Sequence, residues 1–87
     1  MKETQDIVKK SVIPYQTLRA RIRKDYGTIS NWARPSNIPA SELTRILKYR
    51  PAFVYANSAG YRVLRSLERD FGITPSDLGI QVLEVER

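Results

Sequence analysis

The apolar positions of the chain fall mostly at helical spacing. Ile7, Val8 and Val12, with Glu3 or Thr4 to start the turn, predict a short helix over 3–12. Pro14 suits the first turn of a second helix, where its missing N–H is not needed. In that helix Leu18 and Ile22 form an inward stripe with Tyr15 and Tyr26 beside it. Arg19, Arg21, Arg23 and Lys24 fill the opposite side, and the helix is expected to end near Lys24. Asp25 is placed to cap a third helix over 26–34, with Ile29 and Trp32 inward and Pro35 as its stop. Pro39 opens a fourth, whose inward face is Leu43, Ile46 and Leu47, with Phe53 or Val54 near it. Pro51 then opens a separate turn, "PAFVYAN", or kinks a continuation. Residues 58–71 set Tyr61, Leu64, Leu67 and Phe71 on one face, and Gly72 ends them. "ITPSDL" supplies Thr74 as N-cap, Pro75 at the first helical position and Asp77 as capping-box partner. The last stretch, "GIQVLEVER", fits both periods: it alternates as a strand, yet Leu78, Val82 and Val85 also suit a helix. The pattern therefore reads as an all-α fold of five to six short helices, with room for a short C-terminal strand.

Composition narrows the function. Eighty-seven residues make one domain, 1–87, with a modest core. There is no cysteine and no histidine. That removes disulfides, thiolate or imidazole zinc sites, and Ser-His or Cys-His nucleophile pairs. The nine carboxylates are scattered, so no acid/base pair stands out and neither an enzyme nor a cofactor is expected. No apolar run approaches the ~20 residues of a membrane span. The N-terminal "MKETQDIVKK" lacks an apolar signal segment, so a cytoplasmic protein is the expectation.

Charge adds a partner. The net charge is +6 and unevenly placed: residues 1–69 carry +9 and residues 70–87 carry −3. A basic body with an acidic tail points to a polyanion, and nucleic acid fits better than an anionic membrane surface. No helix sets a long apolar face against a purely basic one, as an interfacial membrane helix does.

A helix-turn-helix holds one helix against the DNA backbone and sets the N-terminal residues of the next at base edges in the major groove. Residues 15–34 carry that pattern, with Leu18 and Ile22 inward on the first helix and Ile29 and Trp32 inward on the second. The outward positions of the second are Tyr26, Thr28, Ser30, Asn31 and Arg34. Thr28, Ser30, Asn31 and Arg34 are the candidate base readers, since amide and guanidinium groups make paired hydrogen bonds to base edges. Gln16, Arg19, Arg23 and Lys24 are the candidate phosphate contacts.

The run Thr28, Ile29, Ser30, Asn31, Trp32, followed by Ile38, Pro39 and Ala40, resembles the recognition helix and following turn of phage-repressor helix-turn-helix proteins. "LRSLERDFGITPSDL" is similar to the closing helices of the same class. The resemblance implies a sequence-specific, double-stranded-DNA-binding transcriptional regulator, a repressor of phage or mobile-element type. Such readers usually act as two-fold homodimers, because one short helix covers few base pairs. The segment "IQVLEVE" is a candidate strand for pairing across the dimer axis. Arg19 stands where that class carries a small residue, and Arg23 and Lys24 where its turn carries glycine and an aliphatic residue.

Two other registers compete. "DIVKKSVIPYQTLRARI" resembles an excisionase-like module with Ile13 in the turn and Tyr15, Gln16, Arg19 and Arg23 outward. "SELTRILKYRPAFVYANSAG" resembles small repressors of transposable phages, with Leu43, Leu47, Tyr49 and Val54 inward and Gly60 closing. Each candidate also has a plainer reading: Trp32 as a core anchor, Asn31 as a capping or turn-bonding amide, and the run Arg19, Arg21, Arg23 and Lys24 as a solvated face. Arg62, Arg65 and Arg69 read as surface ion-pairing groups. Outside DNA recognition, the alternatives are a basic RNA-binding or ribosome-associated helical protein and a protein-interaction or inhibitor module.

Overall fold

The computed structural model describes residues 12–85. The helix expected over 3–12 lies outside them, except for Val12. Within them are four helices: α1 Tyr15–Tyr26, α2 Ile29–Ala33, α3 Ala40–Thr44 and α4 Ala59–Phe71. Two short strands, β1 Phe53–Tyr55 and β2 Gln81–Leu83, complete the order, with β1 between α3 and α4 and β2 after a 3-10 turn at Pro75–Leu78. The fold is thus mostly helical, with fewer helices than the expected five to six among the described residues.

α1 runs two residues past the expected end at Lys24 and stops at Gly27, whose φ of 85° admits a left-handed turn that a Cβ disfavours. Asp25 therefore lies inside α1. Thr28 is the cap of α2 instead, its hydroxyl accepting from the Asn31 N–H at 3.0 Å. α2 extends into a 3-10 turn at Arg34–Ser36 that contains Pro35, and Asn37 (φ 53°) closes it. α3 follows Pro39 and loosens into a π-helical turn over Arg45–Tyr49, where the Arg50 N–H reaches back to Arg45 O at 2.8 Å.

The "PAFVYAN" stretch is neither a lone turn nor a helix. Its strand β1 pairs in parallel with β2, Phe53 opposite Gln81, Val54 opposite Val82 and Tyr55 opposite Leu83. The C-terminal strand expectation is therefore met, but its partner is a segment of the same chain. Parallel strands need a long crossover, and α4 supplies it. Ser58 caps the start of α4 by accepting from the Tyr61 N–H. At its end the Gly72 N–H bonds Glu68 O at 3.0 Å and the Ile73 N–H bonds Leu67 O at 3.3 Å, a paired closure that tucks Ile73 into the core. Thr74 and Asp77 form the expected capping box, on the 3-10 turn.

The core draws on all four helices and on β1: Leu18 and Ile22 of α1, Trp32 and Ala33 of α2, Leu43 of α3 with Ile46 and Leu47 after it, Val54 of β1, and Val63, Leu64 and Leu67 of α4. Leu78 and Ile80 close it from the C-terminal side. No helix among the described residues is long and apolar enough to cross a membrane.

Candidate nucleic-acid interface

The short link between α1 and α2 is tied from both sides. Asn31 Nδ2 donates to Tyr26 O at 3.1 Å, and Arg23 Nε donates to Gly27 O at 3.4 Å. The Trp32 N–H bonds Thr28 O at 3.2 Å. These contacts fix where α2 leaves α1, and they give two predicted site residues a second task. Thr28 uses a lone pair to cap the helix. Asn31 uses one of its two amide N–H groups to hold the Tyr26 carbonyl at the end of α1, which fixes the orientation of its amide plane and leaves one N–H and the oxygen for other partners.

Ser30 and Arg34 stand one helical turn apart on the outer side, and both are exposed. Neither side chain makes a hydrogen bond or ion pair with the described residues. A hollow of about 280 Å³ is bounded by Arg19 and Arg23 of α1 and by Thr28, Ile29 and Ser30. Two predicted phosphate contacts and two predicted base readers thus border one concavity, with half-buried Ile29 as its floor. Gln16 and Lys24 are exposed on α1 but do not line it. Ser30 also borders two neighbouring hollows, one reaching Tyr15 and Thr44, the other reaching Arg34 and Asn37.

Residues outside the predicted site border the same surface. Ala40 and Thr44 of α3 line the hollow that Ser30 shares with Tyr15, and Lys48 Nζ sits 5.9 Å from the ring centre of Tyr15 at the start of α1. Among the described residues Arg62 bonds carbonyls rather than a carboxylate: its Nη2 donates to Ser36 O at 3.2 Å and Asn37 O at 3.1 Å, pinning the loop after α2. Arg65 lies over the Tyr61 ring at 5.8 Å. Of the three arginines read as ion-pairing, Arg69 alone pairs among the described residues, with Asp70 at 2.8 Å. Arg21 faces away from the hollow and donates to Phe71 O at 3.2 Å, a cation against the C-terminus of α4.

Behind α2, Trp32 is 2% exposed and its indole N–H donates to Asp70 Oδ2 at 2.8 Å. Its ring meets Phe71 at 5.7 Å. Trp32 is therefore the core anchor rather than an exposed stacking platform. The Arg69 hydrogen bond holds the Asp70 carboxyl below its ordinary range, against partial burial, with the Trp32 bond acting in the same direction as Arg69.

The third register has no second helix to offer, since residues 53–55 are strand and Tyr49 is 70% exposed. The first helix of the excisionase-like register lies outside the described residues. No family model, curated protein or solved structure matches this chain.

Proposed function

We propose that this chain is a sequence-specific duplex-DNA-binding regulator of the helix-turn-helix kind, a repressor-like protein of phage or mobile-element type working as a homodimer. One observation carries the reading: Arg19 and Arg23 on α1 and Thr28 and Ser30 on α2 meet around one hollow across a two-residue link. In this reading α1 lies along the phosphates, with Arg19, Arg23 and Lys24 releasing counterions as they bind and Gln16 donating a neutral hydrogen bond. α2 enters the major groove, where Ser30 and Arg34 reach base edges directly. Thr28 and Asn31 hold the helix start and add what hydrogen-bonding capacity they have left. The net charge of +6 and the lack of any histidine or cysteine support a binding role over catalysis.

Selection from random-sequence duplex DNA at two salt concentrations, with sequencing of the bound pool, tests this. An enriched short motif, palindromic for a two-fold dimer, is the expected result. Salt-sensitive binding without enrichment, or preference for structured RNA over duplex, refutes it.

A further inference from the structure

The hollow beside Arg19 and Arg23 does not end at Ser30. A second hollow of about 180 Å³ adjoins it, and the two share Ile29 and Ser30. Tyr15, Ser30 and Thr44 give this second hollow its hydroxyls, and Leu43 and Leu47 join Ile29 as its apolar wall. Tyr15, Arg19 and Arg23 stand at i, i+4 and i+8 on α1, so they form one row. At ~1.5 Å per residue that row is ~12 Å long. The two hollows therefore make one trough, with α1 as one wall and α2 and α3 as the other. Its cations come from two elements. The first turn of α1, Tyr15 to Leu18, carries none. Lys48, from the π-helical turn after α3, fills that gap: its Nζ lies 5.9 Å from the ring centre of Tyr15 and 5.6 Å from that of Tyr49. Contact with the rings steadies the ammonium and leaves its charge intact, as a carboxylate would not. Lys48, Arg19 and Arg23 pair with no carboxylate among the described residues, whereas Arg45 pairs with Glu42 and Arg69 with Asp70.

We infer that the phosphate backbone of duplex DNA runs along this trough, and that Lys48 is a phosphate contact beyond those on α1. The inference rests on reading α1 as the phosphate-facing helix, and it does not require that α2 read sequence. Charge identifies the partner. No carboxylate lines either hollow, and the three cations are strung along the trough rather than gathered at one point. Such a line matches a linear array of phosphates, one per ~3.4 Å of duplex axis on each strand, better than it matches a single small anion. The hydroxyl residues suit the same partner, since serine, threonine and tyrosine donate neutral hydrogen bonds to phosphate oxygens. Lys48 binds phosphate as a point charge, so it needs no fork geometry, only nearness, and the Tyr15 ring supplies that. The end of α3 thus joins the contact surface, and the phosphate track extends one turn past the arginines of α1.

Titration of the full chain against a mixed-sequence DNA duplex, followed by fluorescence anisotropy from about 50 to about 200 mM salt, reads the contact without needing a motif. Lys48→Gln keeps a long polar side chain and removes the charge. It should reduce the slope of log affinity against log salt by ~0.9, so that the wild-type advantage shrinks ~3–4-fold across that range. Arg65→Gln is the matched control. Arg65 also lies over a tyrosine ring, Tyr61 at 5.8 Å, and its loss changes the net charge equally, but it borders neither hollow. Its slope should stay at the wild-type value. Circular dichroism checks that each variant folds. A Lys48→Gln slope equal to wild type overturns the inference. Equal reductions in Lys48→Gln and Arg65→Gln do the same, because net charge alone would then be at work. Wild type that binds single-stranded or structured RNA but not duplex DNA also overturns it. Lys48-dependent duplex binding with no motif enriched by selection leaves this inference standing and removes the sequence-reading proposal; an enriched motif with a Lys48-independent slope does the reverse.

Discussion

Removing the Asp70 carboxylate tests what holds α2 in place. Asp70 accepts the Trp32 indole N–H at 2.8 Å and takes two bonds from Arg69, at 2.8 and 3.0 Å. The two partners differ in weight. Arg69 has a side chain 62% exposed, and a pair so open to solvent contributes little to stability. The indole is 2% exposed, so Asp70→Ala strands a donor that water reaches poorly, a loss of ~1–3 kcal/mol. Asp70→Asn keeps an oxygen for the indole and loses only the charge. Urea unfolding at neutral pH should therefore rank wild type above Asp70→Asn above Asp70→Ala, with the last two ~1–2 kcal/mol apart and m unchanged. In a Trp32→Phe background the gap between Asn and Ala should close, because the donor is gone. Equal loss for Asn and Ala in the Trp32 protein would refute the claim that the indole bond dominates. The sign with pH follows from the depressed carboxyl. Its stabilisation is present above the ordinary value of 3.8 and is lost as pH falls through the lower folded value. Wild type should lose stability more steeply on the acid side than Asp70→Asn, and the two should converge at the lowest pH.

Gly60→Ala gains up to ~1 kcal/mol of helix propensity but crowds the core by ~1–3 kcal/mol, since the new Cβ would meet Ile46 at 3.1 Å and Val54 at 3.2 Å; a lower thermal midpoint is expected, and a higher one refutes the packing argument. Ser58→Ala should cost α4 ~1 kcal/mol in chemical denaturation through loss of its cap, while Ser58→Asp should recover most of it. If the duplex-DNA reading holds, Arg19→Ala should reduce the slope of log affinity against log salt by about one and leave the preferred motif unchanged. Under the same reading Arg34→Ala should relax sequence preference, by ~1–3 kcal/mol of discrimination at one position, more than it changes the salt slope.

The legible part of the fold was the part written in local signals. Leu18 and Ile22, Leu43 and Leu47, and Leu64, Leu67 and Phe71 sit at helical spacing, and all are buried. Gly72, Thr74 and Asp77 are terminators whose chemistry is local, and they act as their sequence suggests. β1 was not legible because a three-residue strand has too few positions to show a period, and its partner lies 28 residues away, at Gln81 for Phe53. Asp25 looked like a cap because it precedes the apolar pair of α2, yet α1 continued through it until Gly27 allowed the chain to turn. The candidate site was half legible. Outward placement of Ser30 and Arg34 follows from periodicity once Trp32 is inward. The second tasks of Thr28 and Asn31, and the nearness of Lys48 to Tyr15, depend on how three helices meet.

α2 also shows why contact residues and holding residues must be told apart. A helix of five residues is far below the length that is stable alone, so its shape is imposed from outside. Four attachments impose it: the Thr28 cap, the Asn31 bond to Tyr26 O, the Trp32 bond to Asp70, and Arg62 on the carbonyls of Ser36 and Asn37. None of these groups needs to touch a ligand to matter for binding. Under the duplex-DNA reading, loosening any of them would let Ser30 and Arg34 sample many positions and lower affinity for every sequence by a similar factor. Changing Ser30 or Arg34 would leave the helix held and alter mainly what it prefers. Asn31 belongs to both groups, so Asn31→Ala should combine the two signatures: a general loss with a smaller change of preference. Asp70→Ala should show the general loss alone. If Asp70→Ala instead changed the preferred motif as much as Arg34→Ala, then α2 would not be the reading element, and α1, with Gln16, Arg19 and Arg23 outward, would take its place.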